Sequence, residues 1–511
     1  MTKKSTIHLI EALEDRIAPA GLVTAAYSPD TGELTLTGDV DANRVEVFQT
    51  GPETYRILGT AATGINAVGN DFLDIGKLTK LTISGGEGND EFTLVNLRAL
   101  TSLDYNGGAG GDTLDATNLG VKGHVLIHGD AGNDAVNFEG LSTSISGNLT
   151  IDAAATAGDR VRVTMDARDV NIGGTVFFNG GGGDDRLTGN SLGTLSIGKG
   201  IEFTPGEGGG RVDLRSDGVT TIGKLSSGES VVVNGGSGND QLSLGGISAT
   251  LAGGIRFTGA AGNDAINLGE SSGTLKIGKL ASRQSILFDG GDGNDSITLT
   301  GSNLTLAGAV DLIGGSGDNS INLDSTSGVA KIGKLASGES IRFTGGIGDD
   351  EVSLNASSLT LLGGINMTVD AGANSLAISA ASGKAVIGKL ASKQSILFTG
   401  LGGDDLIETN LASLTLAGGV EVSAGDGINT LDFAGIDGLL KIGKLAGGQS
   451  ILFTGGAGND NISSGVGNQT LLGGIEMSVG GGNNILSFDE GNLVKIGKFA
   501  TGQSVTLSGT G

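Results

Sequence analysis

Along most of this chain apolar and polar residues alternate in short runs. GELTLTG (32–38), NRVEVFQ (43–49) and ETYRILG (53–59) are early examples. QLSL (241–244), AINL (265–268), TLKIGKL (274–280) and QSILFDG (284–290) are later ones. A period of two predicts strands with one buried face. The runs are only four to six residues long and end at glycine-rich corners. Residues 1–20 are the exception, because Ile7, Leu9, Ile10 and Leu13 fit one face of a short helix.

The runs also return at a fixed interval. GGSGNDQLSL (235–244), GGDGNDSITL (290–299), GGIGDDEVSL (345–354) and GGAGNDNISS (455–464) are versions of one unit, and GLGGDDLIET (400–409) is a looser one. From Asp240 to Asp295, Asp350, Asp405 and Asp460 each step is 55 residues. Weaker copies at Asp264, Asn319, Asn374, Asn429 and Asn484 divide each step into 24 and 31. Upstream, Asp90, Asp112, Asp134, Asp159 and Asp185 follow at 22 to 26. A constant interval means units that fold alike and stack.

The predicted fold is therefore all-β: a parallel β-helix, or β-solenoid, of roughly 16 coils of 22–31 residues with a two-coil repeat of 55. Ile286, Ile341, Ile396 and Ile451 would form one core column, and Phe288, Phe343, Phe398 and Phe453 another. At about 4.8 Å per coil the rod would be roughly 75 to 80 Å long. Four stretches are distinguished: 1–20, a leader or targeting segment; 21–82, a cap and first irregular coils; 83–234, irregular coils; and 235–511, the regular repeats.

Composition narrows the function. Gly is 97 of 511 residues and Pro only 4, with no three-residue period, which excludes collagen. The formal charge of −25 opposes nucleic acid and anionic lipid and favours cations. The sequence shows no basic stripe and no aromatic platform of the kind nucleic-acid binders use. Cys is absent, so there are no disulfides. No apolar run is long enough for a transmembrane helix.

Two motifs resemble known families. GGxGxDxUx, with U a large apolar residue, is the RTX nonapeptide. It is complete from Gly85, Gly107, Gly180, Gly235, Gly290, Gly345 and Gly455, and lacks only its second glycine from Gly129, Gly259 and Gly400. The resemblance implies Ca²⁺ held between successive turns by carbonyls and aspartates. The implied ligands are Asp90, Asp112, Asp134, Asp185, Asp240, Asp264, Asp295, Asp350, Asp405 and Asp460. RTX repeats run in tandem, whereas here one motif appears per coil, so two motifs meet only if coils stack in register. Where Asp alternates with Asn, from 295 to 484, like carboxylates would lie nearly 10 Å apart and need no metal. Second, LEDRIAPA (13–20) is similar to the LEPR-type N-terminal motif of some large exported bacterial repeat proteins, which implies a secreted or cell-surface product.

Other signals are weaker. IGKL recurs at 222–225, 277–280, 332–335, 387–390 and 442–445, with IGKF at 496–499. Its lysines read as a solvated corner that offsets acidic charge and blocks lateral strand pairing. Thr250, Thr305, Thr360, Thr415 and Thr470 recur on alternate coils only, unlike an ice-binding rank. His124 and His128 lack a third ligand for zinc. No G-x-S-x-G, P-loop or H-E-x-x-H occurs. The expected function is a non-enzymatic extracellular or cell-surface structural or adhesive rod, stabilised by calcium. One alternative is a self-associating fibre or surface-layer subunit, the terminal SVTLSGTG offering an open strand edge. Another is a protein that binds or cleaves a cell-surface or matrix polysaccharide. Its site is expected in the least regular stretch, 150–234, with Arg160, Arg162, Asp166, Arg168 and Asp169.

Overall fold

The computed structural model describes residues 21–66, 72–153, 158–269, 273–488, 493–499 and 501–509. They form a parallel β-solenoid of about 16 turns, with no helix among the described residues. The expected leader, 1–20, lies outside them.

Each regular coil carries three strand segments, of which the first two join into one continuous strand from Ser320–Ile332 through Thr430–Ile442. After the turn ending at Asp240 these are Gln241–Leu244, Ser248–Leu251 and Gly254–Thr258. The next coil repeats them as Ala265–Gly269, Thr274–Ile277 and Gln284–Gly291. Stacking is parallel and in register: Leu242 faces Ile266, Leu251 faces Ile277 and Ile255 faces Ile286. Period-two alternation sends every second side chain into the shaft, and these columns are buried throughout. The phenylalanine column is interleaved. Leu312 lies between Phe288 and Phe343, Met367 between Phe343 and Phe398, and Val422 between Phe398 and Phe453. A two-coil repeat lets bulky rings alternate with smaller neighbours, so the core fills without stacking every ring on another.

The alternation of 24 and 31 residues has a local cause. The longer coil carries the IGKL corner. Leu280, Leu390 and Leu445 fold back over Gly254, Gly364 and Gly419 of the preceding coil, where a Cβ would collide with the leucine side chain. The corner is pinned by a buried serine: Ser285 Oγ donates to the Gly278 carbonyl (2.6 Å) and accepts from the Gly308 N–H (2.8 Å). Ser450 does the same with Gly443 and Gly473. The lysines of IGKL are exposed.

The first segments run differently. Leu22–Ser28 pairs antiparallel with Glu33–Thr37. Arg44–Gly51 pairs antiparallel with Thr54–Gly59, which pairs antiparallel with Phe72–Ile75. These hairpins then hand over to the parallel ladders at Lys80–Glu87 and Glu91–Val95. They cover an edge that a parallel coil would leave open.

Candidate functional site

The ten aspartates implied by the resemblance all sit at the inner end of a glycine-aspartate turn, and all are nearly or fully buried. Nine of the ten accept a backbone N–H from the preceding coil through Oδ1. Asn43 donates to Asp90 (2.7 Å), Asp90 to Asp112 (2.8 Å) and Asp112 to Asp134 (2.8 Å). Val161 donates to Asp185 (2.7 Å), Gly210 to Asp240 (2.6 Å), Asp240 to Asp264 (2.7 Å) and Asp264 to Asp295 (2.9 Å). Asn319 donates to Asp350 (2.9 Å) and Asn374 to Asp405 (3.3 Å). Asp460 instead receives the side-chain amide of Asn429 (2.9 Å).

Asparagine fills the same post. Asp295, Asp350, Asp405 and Asp460 donate their N–H groups to Oδ1 of Asn319, Asn374, Asn429 and Asn484. A second ladder runs the other way on the outer side. Asn239 Oδ1 accepts from the Asn263 N–H, Asn263 from Asn294, Asn294 from Asp318 and Asp318 from Asp349. Where an Asn or Asp precedes the inner residue, as in Asn239–Asp240, Asn263–Asp264 and Asp318–Asn319, the turn therefore caps both neighbouring coils. These are peptide groups that a turn would otherwise leave without partners.

Asp and Asn differ at their second atom. Asn319 Nδ2 donates to the Gly317 carbonyl (2.9 Å), and Asn429 Nδ2 to the Gly425 carbonyl (3.0 Å). In Asp rungs Oδ2 takes the place of Nδ2: a Cβ on Gly345 would collide with Asp350 Oδ2, as one on Gly314 would with Asn319 Nδ2. An ionised oxygen has no proton to offer those carbonyls. Among the described residues Oδ2 of Asp90, Asp112, Asp134, Asp264, Asp295, Asp350, Asp405 and Asp460 is buried with no partner. Only Asp185 and Asp240 find one, the N–H of Gly181 and Gly236.

Burial raises these carboxyls in consequence. Asp134 and Asp264 are pushed up to about 7. Asp112, Asp185, Asp240, Asp295, Asp350 and Asp405 reach about 6. Asp90 and Asp460 are raised as well. Loss of water is the main cause in each, and nearby carboxylates add to it at all but Asp240 and Asp460. The buried Tyr105 hydroxyl, also unpartnered, is driven well above its usual range by burial and by Asp112, Asp134 and Asp90.

The structure corrects three readings. Asp159 is not in the column, because Asp134 stands against Val161. The acidic run at 240 and 264 extends to Asp295, which caps Asp264 directly. A basic stripe does exist: Arg162, Arg186 and Arg211 occupy consecutive rungs. In the stretch expected to hold any site, Asp166 accepts from the Asn190 N–H, and Asp169 from the Thr194 N–H and hydroxyl. His124 Nδ1 accepts from the Asn148 N–H. Threonines 250, 305, 360, 415 and 470 stand against Lys276, Lys331, Val386, Lys441 and Lys495, so they form no continuous rank.

The oxygen set decides which turns suit calcium, which takes six to eight hard oxygens. Among the described residues no three acidic or histidine side chains converge. The acidic turns supply Oδ2 and, by the Asn geometry, the two glycine-loop carbonyls it faces. Two successive acidic turns double that set, which fits Asp90–Asp112–Asp134 and Asp240–Asp264–Asp295. An acidic turn between two Asn turns has a carboxamide rather than a second carboxylate on each adjacent coil and so offers only one charged oxygen group. Sequence reasoning found the residues but missed their capping role; the Asn at equivalent positions was its only trace. No family model, curated protein or solved structure matches the chain.

Proposed function

We propose that this chain is a non-enzymatic extracellular or cell-surface rod, structural or adhesive. Its uninterrupted acidic turns are closed by calcium outside the cell, and by protons in acid. The observation that carries the reading is the row of buried Oδ2 atoms without a hydrogen-bond partner, in the post where Asn turns place a donor. Bound calcium would supply the missing positive charge at Asp90, Asp112, Asp134, Asp264 and Asp295, with Asp240, whose Oδ2 already accepts the Gly236 N–H, as a neighbouring ligand. The turn glycines present the carbonyls, and the aspartates keep Oδ1 on the neighbouring peptide. A solenoid whose turn carboxylates are nearly all engaged in capping the neighbouring coil would act through shape and stiffness.

Binding only the folded form stabilises it by mass action. Melting followed by circular dichroism, at pH 8 in chelator and in millimolar Ca²⁺, tests this. A calcium-dependent rise in melting temperature is expected. Equal melting in both conditions, with no gain on acidification, would reduce the turns to hydrogen-bonded corners.

A further inference from the structure

We infer that the face bearing Arg162, Arg186 and Arg211 binds a linear anionic glycan lying along the rod axis, its carboxylate or sulfate groups met one per coil. The three arginines are direct neighbours in the parallel ladder, Arg162 against Arg186 and Arg186 against Arg211. Their backbones are thus about 4.8 Å apart, and like charges directly opposite each other destabilise a sheet. Elsewhere in the column the one other basic residue is Arg44, which pairs with Glu91 (3.4 Å); Thr113 and Ala135 follow it before the arginines, and Gln241, Ala265 and Ser296 come after. A protein with 56 acidic and 31 basic residues therefore gathers three guanidinium groups where packing asks for none.

Two further features favour a ligand. The acidic turn column is interrupted here, by Val161 beside Arg162 and by Gly210 beside Arg211, so the local field is less negative than beside the consecutive acidic turns at Asp90–Asp112–Asp134 and Asp240–Asp264–Asp295. An open groove of about 470 Å³ runs beside Arg186 and Arg211, between glycines 209, 210 and 238, Asn239 and Gln241. That volume suits a few sugar units. The glycines leave peptide groups accessible to hydroxyls.

Two carboxylates bear on the site. Asp184, at the groove, is held by the Gly209 N–H. Asp213 pairs with Arg211 (2.6 Å) and Arg215 (3.1 Å) and so competes with an incoming anion. Guanidinium groups meet carboxylate and sulfate with paired N–H donors, which lysine cannot do. No aromatic ring lines the groove, so a nucleic acid would lack the stacking that holds single strands.

Titration calorimetry at low salt tests the site with three probes: oligogalacturonate, a heparin oligosaccharide and an oligonucleotide of equal charge. Binding of either glycan, but not the oligonucleotide, is expected, and the arm that binds more tightly tells carboxylate from sulfate. Arg162→Gln/Arg186→Gln should weaken it roughly tenfold or more without moving the melting temperature. Asp213→Asn should tighten it several-fold by freeing Arg211 and Arg215. Lys276→Gln/Lys331→Gln, outside the groove, should change nothing. No glycan binding, oligonucleotide binding as tight as the glycan, or equal loss in the lysine variant would overturn the inference.

Discussion

The turns at Asp90–Asp112–Asp134 and Asp240–Asp264–Asp295 resemble those from Asp295 to Asn484, although the residue four before the inner Asp or Asn has positive φ at Gly86, Gly108, Asp130 and Gly291 and not at Gly315, Gly346 or Gly456. The same Oδ1 cap joins coil to coil in both. They differ in whether the next rung ends in an oxygen or an amide. In the alternating stretch each Asn satisfies the turn carbonyls by itself and can donate onward, as Asn374 and Asn429 do to Asp405 and Asp460. In the consecutive stretches the rungs on adjacent coils all end in a carboxylate, and all but Asp240 keep an unpartnered Oδ2. In both designs most acidic rungs keep a buried Oδ2 without a partner, but only the consecutive stretches put such rungs on adjacent coils, where the proposed proton or cation would serve two at once.

The largest expected effect is on the whole array. These carboxyls titrate near 6 to 7 in the folded rod and near 3.8 when unfolded. Between those values the folded form binds more protons. Stability is therefore fully present below about pH 4 and lost as pH rises through 6 to 7. A single displacement of two to three pK units corresponds to about 3–4 kcal/mol. Thermal melts in chelator should fall steeply from pH 5 to pH 8, and calcium should restore the loss at pH 8. A flat profile would break the comparison, since it would mean that water or a donor already serves Oδ2.

Exchanging the two designs sharpens it. Asp264→Asn puts an amide where the unpartnered oxygen stands and keeps the cap on Asp240. It should stabilise the chelated protein at pH 8 by about 1–3 kcal/mol and reduce its calcium response. Asn374→Asp does the reverse, making Asp350, residue 374 and Asp405 three carboxylates in succession. It should cost a similar amount in chelator and introduce a calcium response where none existed. Denaturant titration of both variants, with and without calcium, measures the two signs. If both moved stability the same way, the second atom would not be what separates the regions.

Removing the cap altogether should cost less than the pH effect and be alike in both regions. Asp112→Ala and Asp350→Ala each leave a buried N–H without an acceptor, that of Asp90 and Asn319 respectively. Each should lose about 1–3 kcal/mol in denaturant melts, calcium or not. The corresponding Asn variants should recover it. A much larger loss at Asp112 in calcium would place the metal there.

Much of this was legible in the sequence. The 55-residue interval and the two-residue alternation were enough for a parallel solenoid with stacked core columns, because both follow from backbone geometry that the residues repeat. What did not show was the direction of hydrogen bonds between coils. Asp240 and Asn239 look like one polar turn in the sequence, yet one caps the coil behind and the other the coil ahead. Register also escaped it: Asp159 keeps the beat in number but not in space, since the neighbour of Asp134 is Val161. Likewise Arg162, Arg186 and Arg211 are scattered along the sequence and become a column only through the ladder.

The smallest effect separates burial from charge. Asp318 and Asp349 also cap a peptide N–H across coils, but on the exposed outer ladder, where water reaches the second oxygen. Replacing either by Asn keeps the cap and removes a charge of the same sign as in Asp264→Asn. Stability should change by no more than about 0.5 kcal/mol, and the calcium response should stay as it was. If charge count alone governed the turns, Asp318→Asn and Asp264→Asn would behave alike in calorimetric melts. A difference between them places the effect in the unhydrated oxygen, on which the contrast between consecutive and alternating turns rests.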